Sequence, residues 1–391
     1  MAHALLEDTV SVLADLIAFE SVSQDSNLEL IAYINQKLDQ IGGVRTYLTL
    51  DESGTKANLF ATFGPPETDG GVVLSGHTDV VPVDGQDWTG NPFEVREADG
   101  RLYGRGACDM KGFLACAIAH APLLAEANLT RPIHMAFTYD EEVGCLGAQV
   151  MLKGLAETGR KPAICIVGEP TEMRIVEGNK GCCEYTTTFS GTEGHASQPE
   201  LGVNAVEYAV RYVTRLLEVG EMLRQRAPEN SRFDPPWSTI QVGRFAGGVA
   251  RNVIAGSCEV DWELRPVCAA DFNFAKQHIQ EYVETELLPR MRSVYPDATI
   301  LTQVIGEVAG LEPMDANEAE ALVRALTGNR DPAECVAFGT EAGLYQQYGV
   351  STVICGPGSI LQAHKADEFV ELSELEACLD MIGKLGKRLS G

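Results

Sequence analysis

Basic residues are scarce in this chain: 30 lysines and arginines stand against 56 aspartates and glutamates, a formal net charge of −26. That balance argues against nucleic acid or an anionic membrane as partner. It would attract a cationic substrate or metal ions, although no acidic run is long enough to act as a tail. The eleven cysteines include no CxxC pair, and an odd count does not make a disulfide framework. Cys116, Cys165 and Cys355 sit in apolar runs, where thiols act as small hydrophobes, so a reducing cytoplasm is expected. The first residues, Met1-Ala-His-Ala-Leu-Leu-Glu-Asp, have neither a basic n-region nor an apolar h-region, and no signal peptide is expected. The most apolar stretch, Gly112 to Ala127, is interrupted by His120 and Pro122. It reads as a buried helix too short to span a bilayer. Internal repeats and low-complexity segments are missing. The glycine-rich turn Gly104 to Gly112 fits neither nucleotide fingerprint, and Asp109 would repel a phosphate.

What remains is a chain of 391 residues, 45% of them hydrophobic, long enough for roughly two to three domains. Leu6, Val10, Leu13 and Ile17 recur at helical spacing, as do Leu30, Ile31, Ile34 and Leu38. Strand-like runs at 45–50, 57–63, 71–75, 133–139 and 163–167 then alternate with helices. Acidic or histidine residues stand where several of these runs end. This pattern indicates an α/β fold with a mostly parallel sheet. After Glu177 the character changes. Residues 184–190, 239–245 and 257–264 read as strands, the last alternating Cys258, Val260, Trp262 and Leu264 with charged residues, which suits a sheet with one wet face. With helices between and after them, the order βαββα resembles a split βαβ unit, an α+β, ferredoxin-like lid or dimerisation domain inserted in the first. The expected boundaries are 1–177 and 294–391 for the catalytic domain and 178–293 for the insertion.

The stretch Leu74-Ser-Gly-His77-Thr-Asp79-Val-Val-Pro82 ends the third strand. If His77 gives one imidazole nitrogen to a metal, Asp79 can accept a hydrogen bond from the other, which fixes the tautomer. Four more ligand types follow: Asp109, Glu142, Glu169 and His364. Each alone reads as a structural or surface residue. Together, two histidines and three carboxylates exceed what one zinc with an open position needs, and suit two divalent ions about 3.5–4 Å apart with one carboxylate between them.

His77-Thr-Asp79, Gly104-Arg-Gly-x-x-Asp109-Met-Lys-Gly, Asp140-Glu141-Glu142, Gly168-Glu169-Pro-Thr and the late His364 resemble the dinuclear zinc amidohydrolases. That group includes the acetylornithine deacetylases, succinyl-diaminopimelate desuccinylases, aminoacylases and glutamate carboxypeptidases. The resemblance covers essentially the whole chain. It implies one Zn2+ on His77, Asp109 and Glu169 and a second on Asp109, Glu142 and His364, with Co2+ possible. It also implies Glu141 as general base and Asp79 as the orienter of His77. Gly356-Pro-Gly-Ser-Ile-x-x-Ala-His364-x-x-Asp-Glu, Phe338-Gly-Thr-Glu341-Ala and Cys258-Glu-Val-Asp-Trp-Glu-Leu-Arg265 resemble the acetylornithine deacetylase subgroup. Hydrolysis of N-acetylornithine to ornithine and acetate, a step of arginine biosynthesis, is therefore expected. Succinyl-diaminopimelate, other acyl-amino acids or short peptides are alternatives within the group, and a non-catalytic metal-binding relative is the alternative of another class. Gly194-His195-Ala-Ser-Gln-Pro resembles the group's lid motif, which implies that His195 helps bind the substrate carbonyl, with a homodimer formed through the inserted domain. Asn252 and Arg265 match positions that contact a substrate carboxylate in relatives. Glu341 is the expected receiver of the ornithine cation.

Overall fold

A computed structural model describes residues 2–65 and 70–391; Met1, where the amino-terminal reading begins, lies outside them. The described residues divide into two compact units, one reaching to Gly178 with Pro313–Cys335 and Thr340–Gly391, the other Asn179–Glu312 with Val336–Gly339.

The first unit is built on an eight-stranded sheet. Its centre is parallel: Ile133–Thr138 and Ile164–Pro170 flank Val72–His77, and Ser351–Gly356 follows Ile164–Pro170. Arg45–Leu50 and Ala57–Phe63 extend it in antiparallel fashion on one side. Every residue of Ala57–Phe63, Val72–His77 and Ile133–Thr138 is buried, as expected where helices cover both faces. Leu30, Ile31, Ile34 and Leu38 are the buried face of helix Leu28–Ile41. Leu375, Leu379, Ile382 and Leu385 are likewise buried on the last helix, Leu372–Leu389. Gly112–Glu126 packs between that helix and Ala2–Ala18, all within one apolar core. Together with the turn before it, this helix runs 20 residues, Ala107–Glu126. Length alone would therefore let it cross a bilayer, contrary to the expectation from sequence. Its side chains are instead mostly buried inside the protein.

This topology gathers the ends of the parallel strands on one edge, where α/β sheets carry their sites. His77 closes Val72–His77, Asp140 to Glu142 follow Ile133–Thr138, and Glu169 lies near the end of Ile164–Pro170. Two glycines make the gathering possible. Gly106 takes φ 80°, the left-handed turn into Asp109. At Gly168 a Cβ would lie 2.0 Å from the ring of Phe113.

The second unit is a four-stranded antiparallel sheet in the order Thr239–Gly247, Ser257–Arg265, Cys182–Ser190, Thr299–Val308. Helices Ala205–Gln225 and Ala269–Tyr282 complete a β-α-β-β-α-β path, the ferredoxin-like order. Cys258, Val260, Trp262 and Leu264 are buried, as their alternation indicates. The boundary at 293 needs correction, because Thr299–Val308 pairs with Cys182–Ser190 and belongs to this sheet. It is an edge strand with Leu301, Val304 and Ile305 exposed, so its sequence lacks the alternation that marks its partner.

Candidate metal centre

His77 is wholly buried. Its Nε2 lies 3.1 Å from Asp109 Oδ1 and 3.8 Å from Glu169 Oε1. The other oxygen of Asp109 faces a different histidine, with Oδ2 3.3 Å from His364 Nε2. His364 Nε2 is also 3.1 Å from Glu142 Oε1. Asp109 thus stands between two imidazoles, one oxygen toward each, with Glu169 on one flank and Glu142 on the other. The donor atoms of His77, Asp109 and Glu142 lie within 4.8 Å of one another, as do those of His77, Glu141 and Glu169. Tertiary structure therefore brings together all five ligand candidates and Glu141.

Asp79 lies against His77 with both its main chain and its carboxylate. The nearest acceptor for His77 Nδ1 is the main-chain carbonyl of Asp79, at 2.8 Å, while the carboxylate is 3.5 Å away. The Asp79 carboxylate also accepts the N–H groups of Glu141 (3.1 Å) and Glu142 (3.3 Å) and the hydroxyl of Ser23 (2.7 Å). Asp140, at φ 53°, is tied by Lys56, whose Nζ is 2.5 Å from its Oδ1. Neither Ser23 nor Lys56 carries any local sequence signal, since both act across long sequence separations.

Crowded charge shapes the protonation of the site. Burial alone would lower the His77 imidazole, but Asp109, Asp79 and Glu169 hold it well above its ordinary value. Hydrogen bonds to Asp109 and Glu142 push His364 up to about 10. Burial would raise Asp109, yet bonds from His364 and His77 bring it below the usual carboxylate range. Burial raises Glu141, Glu142 and Glu169, and neighbouring carboxylates raise them further.

The buried Glu169 Oε1 has no hydrogen-bond partner among the described residues. An orphaned carboxylate oxygen beside a buried imidazole is costly, and a cation there would relieve it. The nitrogen and oxygen donors present fit a divalent ion.

The remaining candidates lie elsewhere. Glu341 is 1% exposed, accepting the hydroxyls of Ser75 at 2.5 Å and Thr138 at 2.8 Å. Both oxygens are taken inside the core, so Glu341 is not open to a substrate cation, and that expectation is corrected. His195, Asn252 and Arg265 belong to the second unit. His195 Nδ1 meets Ser197 Oγ at 2.7 Å, the Asn252 carbonyl accepts the Ala196 N–H at 3.1 Å, and Arg265 pairs with Glu263 at 3.0 Å.

The model of peptidase family M20/M25/M40 matches residues 73–388. The chain belongs to this family. Among curated M20 relatives, the acetylornithine deacetylase of Myxococcus xanthus is 36% identical over 373 residues, covering 94% of each chain. Of solved structures, aminopeptidase PepT from Bacillus cereus superposes with a TM-score of 0.71 at 18% identity, over 98% of both chains. A dinuclear metal binding M20 peptidase from Bacillus subtilis gives a TM-score of 0.65 at 17% identity, over 99% of both. These M20 neighbours share the α/β fold. Family membership makes the chain a hydrolase. Its geometry offers His77, Asp109, Glu141, Glu142 and Glu169 as groups that could hold a metal ion, with His364 beside Asp109 and Glu142.

Proposed function

We propose that this hydrolase removes the acetyl group from an N-acetyl amino acid, N-acetylornithine foremost, using two divalent ions. The arrangement of Asp109 carries the reading: its oxygens face two histidines at 3.1 and 3.3 Å, as a carboxylate shared by two ions must. The 36% identity to an acetylornithine deacetylase supports the substrate, and the dinuclear M20 relative supports the ion count. His77, Asp109 and Glu169 would hold one ion, and Asp109, Glu142 and His364 the other, most simply Zn2+.

When bound, such ions polarise an amide carbonyl and lower the pKa of a water toward ~7. The chain's own residues do the rest. Glu141 follows the strand that lies beside His77, with its backbone N–H held by Asp79. Its carboxyl, raised by burial, is suited to take a proton from water and return it to the leaving amine nitrogen. Glu142, one residue on, faces His364 and must stay ionised to ligate. His195, Asn252 and Arg265 are proposed to bind substrate, on the strength of the motif resemblance, with two copies joined through the inserted unit in a cytoplasmic homodimer.

The deciding assay loads the protein with Zn2+ or Co2+ and compares kcat/KM on N-acetylornithine, N-acetylmethionine, succinyl-diaminopimelate and dipeptides. Preference for N-acetylornithine is expected. Preference for succinyl-diaminopimelate or a dipeptide would sink the substrate assignment while leaving the hydrolase standing.

A further inference from the structure

His364 reaches the site on a backbone that does not favour it. His364 lies at φ 62° and Asp367 at φ 53°, in the left-handed region that side chains other than glycine seldom hold without help. The help comes from two loops far away in sequence. From the loop after Val72–His77, Gln86 Nε2 donates to the carbonyl of His364 at 3.0 Å. Thr89 donates its N–H and hydroxyl to the Asp367 carboxylate at 3.1 and 2.5 Å.

The second loop is the turn that carries Asp109. Arg105 Nη1 donates to Glu368 Oε2 at 2.7 Å and to the carbonyl of Lys365 at 3.4 Å. Arg105 Nη2 donates to Gln86 Oε1 at 2.5 Å, so Gln86 joins the two loops. Glu368 also accepts the backbone N–H groups of Gly106 (3.1 Å), Cys108 (2.9 Å) and Asp109 (3.0 Å). Arg105 and Glu368 are each 1% exposed. A buried ion pair is costly unless its remaining polar atoms are met; both Glu368 oxygens are met by this turn, while Arg105 Nε has no hydrogen-bond partner among the described residues.

We propose that Glu368, Arg105 and Gln86 form a positioning latch that sets the placement of His364 against Asp109. The latch would thereby control the affinity of the ion held on the His364 side. None of its three residues is among those proposed to hold the ions or the substrate, and the latch rests on the two-ion reading of the preceding section. The other side of the site does not depend on it to the same degree. His77 ends a fully buried central strand, and Glu169 lies within the neighbouring one. Loss of the Gln86 arm, which bonds His364 and not Asp109, should therefore weaken one ion selectively, whereas a general loss of structure would weaken both equally.

The test titrates metal-free protein with Co2+ and follows the visible spectrum, alongside elemental analysis and thermal unfolding of the metal-free forms. The variants are Gln86→Ala, which leaves the Arg105–Glu368 pair in place, and Glu368→Gln. In wild type, two equivalents should bind. In Gln86→Ala, the first equivalent should bind as before and the second should weaken tenfold or more, within the range for lost outer partners of a metal ligand. Glu368→Gln also loosens the turn that carries the shared Asp109, so both ions should weaken, the second more than the first. The metal-free Gln86→Ala protein should unfold at the wild-type temperature. Fewer than two equivalents in wild type would overturn the two-ion reading and the latch with it. Two equivalents in wild type with unchanged affinities in both variants would overturn the latch alone. So would an equal loss of both ions accompanied by a fall in unfolding temperature.

Discussion

The Asp79 carboxylate accepts the backbone N–H of Glu141 at 3.1 Å. The aspartate two residues after the buried histidine therefore also sets where the proposed proton carrier begins. Asp79→Ala removes that anchor and the matching bond to Glu142. A shift of about 1 Å at a reacting group costs ~10²-fold in rate, so kcat should fall by about that factor. Metal affinity should fall too, because Glu142 is a proposed ligand. Steady-state kinetics with elemental analysis checks both. Normal turnover in Asp79→Ala would mean that the Glu141 loop holds itself.

Glu141→Gln should lower turnover by at least ~10² while leaving metal content intact, since the amide cannot accept a proton. This outcome matters because Glu141 also falls within ligand distance of His77 and Glu169. If metal disappears together with activity, Glu141 is a ligand and the proton carrier must be sought elsewhere.

His364→Ala should weaken one ion and spare the other, which keeps His77, Asp109 and Glu169. The His364 side chain is half-exposed, so its removal leaves the core packing untouched. Elemental analysis after dialysis should return close to one equivalent. Two tightly held equivalents would show that His364 is no ligand.

Glu341 is expected to act on stability and not on substrate charge. Glu341→Ala removes an acceptor from the buried hydroxyls of Ser75 and Thr138, which keep the Tyr345 hydroxyl at 2.7 Å and the Gly76 carbonyl at 3.4 Å, costing about 1–3 kcal/mol. Denaturant unfolding measures this. The loss in kcat/KM should be equal for acetylornithine and neutral acetylmethionine. A larger loss on acetylornithine would restore Glu341 as a reader of the cation.

His134 should make the protein acid-labile. Burial first, then the charges of Arg160 and Arg45, lower its imidazole from 6.5 to about 4. The folded state thus binds this proton more weakly than the unfolded chain. Stability from the neutral ring is complete above pH ~6.5 and is lost as pH falls toward about 4, by about 3 kcal/mol at most. His134→Gln, which can still bond Thr62, should flatten the fall in unfolding temperature between pH 7 and 4. Parallel curves for the two proteins would exclude His134 as the cause.

The strands, the helices with their buried faces and the histidines and carboxylates that gather around Asp109 were legible in the sequence, because each stands in a local pattern. Burial on both faces makes an unbroken apolar run such as 72–74, and a functional residue soon after such a run marks the sheet edge that bears the site. Local pattern cannot report pairing across long separations. It missed that Thr299–Val308 belongs to the inserted sheet, because an edge strand with exposed leucine, valine and isoleucine does not alternate. It could not report that the Asp79 carbonyl also meets His77 Nδ1, or that the Asp79 carboxylate holds the N–H groups of Glu141 and Glu142. It placed Glu341 at a substrate, although tertiary packing turned that side chain toward Ser75 and Thr138. Which oxygen of Asp109 meets which histidine, and how Gln86, Arg105 and Glu368 hold His364 near it, only the folded chain decides. Those bonds join residues up to 278 positions apart, and their geometry comes from closing long loops on a rigid sheet.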